Sequence, residues 1–92
     1  MAVIMTTEVP GADAGLIDGL RAAGVLEAMA KAQGFVSHIS GPSPAGYRVI
    51  EVWETREAHQ AWYDAHIAPN LPPGMSKPAW EYVDLLLAVP ED

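Results

Sequence analysis

Ninety-two residues carrying twelve acids, five bases and a formal net charge of −7 make an acidic chain, which excludes nucleic acid and anionic membrane surfaces as partners because both need a basic footprint. Half of the residues are apolar and none is cysteine, so neither a disulfide framework nor a thiolate metal site supplements the core. A chain of this length forms one domain, residues 1–92, burying only about 60–65% of its unfolded surface, and self-association is the expected supplement.

In chain order, AVIMTTEV (2–9) is rich in β-branched residues and stops at Pro10-Gly11, which predicts a strand. Asp13 is placed to cap a helix running from Ala14 to about Gln33, in which Leu16, Leu20, Val25, Leu26 and Met29 recur at near-helical spacing. Gly24 invites a bend, and Gly34 ends the helix. FVSHIS (35–40), the turn GPSPAG (41–46) and YRVIEVWE (47–54) predict a hairpin. Thr55 caps a second helix from Arg56 to about Ile67. APNLPPGMSKP (68–78) holds four of the eight prolines and predicts a surface loop, with Pro72-Pro73-Gly74-Met75 placed to act as a stiff flap. AWEYVDLLLAV (79–89) predicts the last strand. The N-terminal segment lacks a basic stretch before its short apolar run, and no run approaches the ~20 residues that span a bilayer, so a cytoplasmic protein is expected.

The order β-α-β-β-α-β is that of an α+β, ferredoxin-like fold with a four-stranded antiparallel sheet. Two helices cover one sheet face only. VIEVW and YVDLLLAV are apolar on both alternations, which predicts a homodimer through the uncovered face.

Gly34-Phe35 entering the second strand, the turn from Gly41-Pro42 to Gly46, and Val52-Trp53-Glu54-Thr55-Arg56-Glu57-Ala58 leaving the third resemble the antibiotic biosynthesis monooxygenase-like family of the dimeric α/β-barrel superfamily. The resemblance covers the order of elements from end to end. It implies a dimeric barrel with a pocket between each sheet and its helices. Among the activities it implies are cofactor-free oxidation of phenols or anthrones, haem degradation, and polyketide cyclisation or isomerisation.

By that resemblance Trp53 matches the third-strand tryptophan of the quinone-forming oxygenases. The asparagine four residues earlier is replaced by Val49, and the tyrosine six residues later by His59. Trp62 lies where the haem-degrading branch carries its pocket tryptophan, but Thr6 and Thr7 stand in place of the early asparagine, and His66 follows only four residues after Trp62. Strand geometry points Val49, Glu51 and Trp53 to one face. His38 joins them if the turn pairs residue 40 with 47, which sets it across from Val49, whereas a one-residue slip would turn it away. On the second helix His59, Tyr63 and His66 form one stripe, but ligands seven residues apart lie ~10 Å apart along the axis, too far for one metal ion. His66 suits the helix C-terminus as a surface residue.

The expectation is a cofactor-independent enzyme acting on an aromatic or polyketide-like small molecule, with His59, Glu51 and Tyr63 as the catalytic groups and Trp53, His38, Trp62 and Val49 contacting substrate. The alternatives are a ligand-binding dimeric module without catalysis and a haem-binding protein. Arg48, Arg56 and Lys77 are expected to pair with neighbouring acids.

Overall fold

The computed structural model describes residues 1–71 and 78–90. The first strand, β1, is Val3–Pro10. Two helices follow, α1 at Ala14–Ala22 and α2 at Val25–Ala30. The hairpin consists of β2, Phe35–Ser43, and β3, Gly46–Trp53. The last helix, α3, is Arg56–Trp62, and β4 is Trp80–Asp84. No helix among the described residues is long and apolar enough to cross a membrane.

Capping is as the sequence predicts. Asp13 accepts the Gly15 N–H at 2.9 Å and Thr55 accepts the Ala58 N–H at 3.0 Å, each satisfying a donor at a helix start that has no partner within the helix. The continuous helix expected from Ala14 to Gln33 is instead two, because Gly24 adopts φ +79°, a left-handed turn that an α-helix cannot pass through. α3 is also shorter than expected. It opens into a π turn over Tyr63–Ile67 and a 3-10 turn over Ala68–Asn70. β4 ends at Asp84 rather than near residue 89, because its neighbour β1 begins at Val3. One further bond, from the Leu85 N–H to the Ala2 carbonyl at 2.9 Å, closes the ladder. The flap expected at Pro72–Met75 and the side chain of Lys77 lie outside the described residues.

The strands form one antiparallel sheet in the order β2-β3-β1-β4, the ferredoxin-like α+β arrangement. Its helix-facing side carries Val3, Met5 and Thr7 of β1 beside Trp53, Glu51 and Val49 of β3. Val3 and Trp53 pack with Val25 and Met29 of α2 and Trp62 of α3. Trp53 is fully buried, and burial of a side chain of that size contributes about 3 kcal/mol. The other side carries Ile4, Ile50 and Val52, with Ile39 and Val83 exposed at 66% and 59%.

Hairpin register differs from the expected one. Only Pro44 and Ala45 form the turn, so Ser43 pairs with Gly46, Ser40 with Val49 and His38 with Glu51. The offset from the expected pairing is two residues, which preserves the face of His38 while changing its partner from Val49 to Glu51. Near its start β2 contains a bulge. Phe35 pairs with Trp53 and Ser37 with Val52, leaving Val36 without a cross-strand partner and 53% exposed.

Candidate active site

One row of paired residues crosses the middle of the sheet on its helix-facing side: His38 on β2, Glu51 on β3, Met5 on β1 and Tyr82 on β4. A carboxylate in this position needs partners, because a buried charge without hydrogen bonds costs several kcal/mol. Glu51, 5% exposed, has them. Its Oε1 accepts the indole Nε1–H of Trp53 at 2.7 Å, and its Oε2 lies 2.7 Å from His38 Nδ1. Trp53 is therefore both a core aromatic and the donor that fixes the acid. The period-2 expectation that Glu51 shares the face of Trp53 holds.

His59 descends from α3 into the same region and is 2% exposed. Its Nδ1 lies 2.8 Å from the Tyr82 hydroxyl, and its Nε2 is 3.9 Å from Glu51 Oε1. Aromatic rings surround the imidazole: Trp80 meets it edge-on at 4.8 Å between centroids, Trp53 and Tyr82 at 5.7 Å. Burial raises the phenol of Tyr82 above its usual range, so at neutral pH it is a hydroxyl. Tyr63, one turn on from His59, is also buried, and burial followed by the nearby Asp64 charge raises its phenol too.

Of these groups, His38, Glu51, His59, Tyr63 and Trp80 border an apolar cavity of about 100 Å³ between the sheet and the helices. Met5, Leu16, Leu20 and Met29 supply much of its wall, and His38, Val49, Glu51, His59, Trp62 and Tyr63 all reach it. A dry cavity of about 150 Å³ admits a benzene ring. A ligand larger than a benzene ring would need displacement of the unbranched and γ-branched side chains of the wall, which have accessible alternative rotamers.

Trp53 lies behind the cavity wall, sealed in the core against Phe35, with ring centroids 5.4 Å apart. His66 does not continue the stripe of His59 and Tyr63. It is exposed and stacks on Trp62 at 4.3 Å, on the far side from the cavity. Arg48 pairs with Glu8 at 3.1 Å, as expected, and that pair helps hold the Glu8 carboxyl below its usual range, after the larger effect of the Ser43 hydroxyl. Arg56 sits over the Tyr82 ring at 5.4 Å, a cation–π contact, and among the described residues it takes the place of the expected ion pair.

Sequence reading missed Tyr82, Trp80, Tyr47 and Ser40. The signal for the first two was the alternation Trp80, x, Tyr82 in the final strand, which puts both rings on one face. Ser40 and Tyr47 required the correct hairpin register.

No protein-family model matches the sequence, and no curated protein matches it. Solved structures do match. A complex of MhuD, the haem degrader of Mycobacterium tuberculosis, with two manganese protoporphyrins per active site is 26% identical over 97% of this chain and 98% of its own, with a TM-score of 0.59. SnoaB, a cofactor-independent oxygenase from Streptomyces nogalater, is 19% identical over 98% and 96%, also at 0.59. The ActVA-Orf6 monooxygenase of Streptomyces coelicolor, in complex with nanaomycin D, is 23% identical over 99% and 91%, at 0.52. Over nearly its whole length, the chain shares its fold with these proteins.

Proposed function

We propose that the protein is a small cofactor-independent enzyme that removes a proton from an aromatic or polyketide-like molecule held between the sheet and the helices. The observation that carries this reading is an imidazole and a carboxylate, His59 and Glu51, 3.9 Å apart at the wall of an otherwise apolar cavity. In the tautomer whose Nδ1 donates to the Tyr82 oxygen, Nε2 is the basic nitrogen, and Glu51 stabilises the imidazolium that forms. Tyr63, kept protonated by burial, donates to the substrate oxygen in place of the asparagine that Val49 replaces. Trp62, His38 and Val49 shape the wall.

The anion left on an anthrone-like substrate passes electrons to dioxygen. A ring methylene becomes a carbonyl, one oxygen atom entering the product and the other leaving as water. SnoaB and ActVA-Orf6 support this over cyclisation or isomerisation, which begin with the same proton transfer. The protomer pairs with a second copy through the uncovered sheet face, where Ile39 and Val83 are exposed, and the protein works in the cytoplasm.

The test is aerobic incubation with hydroxyanthrones and naphthols, following oxygen uptake and product mass, with His59→Ala in parallel. Uptake with incorporated oxygen, lost in the variant, supports the reading. Product without uptake moves it to a cyclase or isomerase. Binding without turnover moves it to a passive ligand-binding module.

The likeness to MhuD raises a haem reading, but the residues present do not fit one. His66 stacks on Trp62 outside the cavity, and His59 holds Tyr82 through Nδ1. A hemin titration without a Soret shift would agree with that mismatch.

A further inference from the structure

At the edge of the cavity, a chain of three hydrogen bonds extends from Glu51 toward solvent. His38 Nδ1 lies 2.7 Å from Glu51 Oε2, His38 Nε2 lies 3.0 Å from Ser40 Oγ, and Ser40 Oγ lies 3.0 Å from the Tyr47 hydroxyl. With His38 as a neutral imidazole, their polarity follows from the buried end. A carboxylate only accepts, so His38 carries its proton on Nδ1 and donates it to Glu51. Nε2 is then an acceptor and takes the Ser40 O–H. The Ser40 oxygen in turn accepts from Tyr47. Every link agrees with one tautomer of His38.

A hydroxyl donating to an imidazole that a buried carboxylate orients is the arrangement that activates a serine, recognised by geometry and role on unrelated folds. Here the acid is held by an additional bond from Trp53, so its orientation does not depend on the histidine. Ser40 is exposed and can be reached by a substrate, while His38 and Tyr47 also line the apolar cavity.

We propose that Ser40, His38 and Glu51 form a second reactive centre, in which Ser40 accepts acyl groups from small aryl esters whose apolar part enters the cavity. Ser40 Oγ bonds to the ester carbonyl carbon while its proton moves to His38 Nε2. The carbonyl electron pair shifts to oxygen, and the Tyr47 hydroxyl donates to the oxyanion. When the carbonyl re-forms, the bond to the aryl oxygen breaks and that oxygen takes the proton from His38. Water, deprotonated by His38, then releases the acid and restores Ser40. No oxidant is involved, and the proposal stands whether or not His59 performs the oxidation argued above.

The test is p-nitrophenyl butyrate mixed rapidly with the whole protein, reading nitrophenolate release, intact mass and a peptide map. The expected result is a burst approaching one equivalent per chain, a mass gain of one butyryl group, and the adduct on Ser40. Ser40→Ala and His38→Gln should lose the burst, with steady-state hydrolysis lower by about 100-fold, the scale of a lost positioned base. Ser40→Cys should regain acylation as a thioester, which separates loss of the nucleophile from damage to the fold. Exposed imidazoles hydrolyse such esters unaided, so the adduct decides the matter. Absence of a burst, an adduct on another residue, or wild-type hydrolysis in Ser40→Ala would each overturn the proposal.

Discussion

Replacing Trp53 with Phe would expose how strongly the core and the site depend on one bond. The indole N–H donates to Glu51 Oε1 at 2.7 Å in a fully buried setting. Hydrogen bonds to charged groups contribute about 1.5–3 kcal/mol, and the smaller ring forfeits roughly 1–2 kcal/mol of packing. A loss of about 3–5 kcal/mol is a large part of the roughly 5–14 kcal/mol expected of a chain this size. Packing alone would also destabilise, so the decisive quantity is the coupling. Trp53→Phe, Glu51→Leu and the double variant are compared by urea unfolding at one fixed protein concentration, because association would add to apparent stability. If the bond is as the structure shows, the double variant is less destabilised than the sum of the singles, by about 1.5–3 kcal/mol. Additivity within about 0.5 kcal/mol, with unchanged urea dependence, would refute a stabilising bond between the two residues and weaken every role given to Glu51.

Further outcomes follow from other parts of the fold. Tyr63 and Tyr82 both have raised pKa values in the folded protein, whereas the unfolded chain releases these protons near the usual value of about 10. The stability they contribute is fully present below that pH and is lost as pH rises toward their folded values. Tyrosinate absorbance should show their late ionisation coinciding with loss of near-ultraviolet circular dichroism. Gly34 has φ +84°, and a Cβ there would sit 2.7 Å from the Ala58 Cβ. Gly34→Ala should therefore cost about 1–3 kcal/mol, read as a lower urea midpoint. Val83→Lys puts a charge on the uncovered sheet face, and sedimentation should show the proposed dimer replaced by monomers while circular dichroism stays unchanged.

Much of the fold was legible because its signals are local. Asp13 and Thr55 sit where a helix start needs an acceptor, and the β-branched strands stop at Pro-Gly or turn clusters. Gly24 was read as a bend and proved to be a full break, since its left-handed φ is a property of backbone geometry that composition only suggests. The site was legible in part. The alternation of Val49, Glu51 and Trp53 placed the acid correctly, and His59 stood out because it replaces the tyrosine that the resembled family carries six residues after Trp53. What His38 touches depended on a two-residue turn, with β2 running three residues and β3 one residue into the expected GPSPAG turn. Tyr82 emerged only after β4 was set against β1, a pairing between segments about 75 residues apart that no local window contains. His66 was displaced by the π turn, whose extra residue leaves no mark in the periodicity.

The bulge at Val36 bears on how this hairpin can change in length. In an unbroken strand Phe35 and His38, three residues apart, would point to opposite sides. Here both face the helices, Phe35 against Trp53 and His38 against Glu51. The unmatched residue acts as a half-step that lets one strand serve two phases, an aromatic anchor at one end and an ionisable row at the other. Removing it would leave the strand able to keep only one of them. Deletion of this solvent-exposed valine would therefore be felt at the Glu51 carboxylate, which it never touches, while an alanine in its place would pass unnoticed.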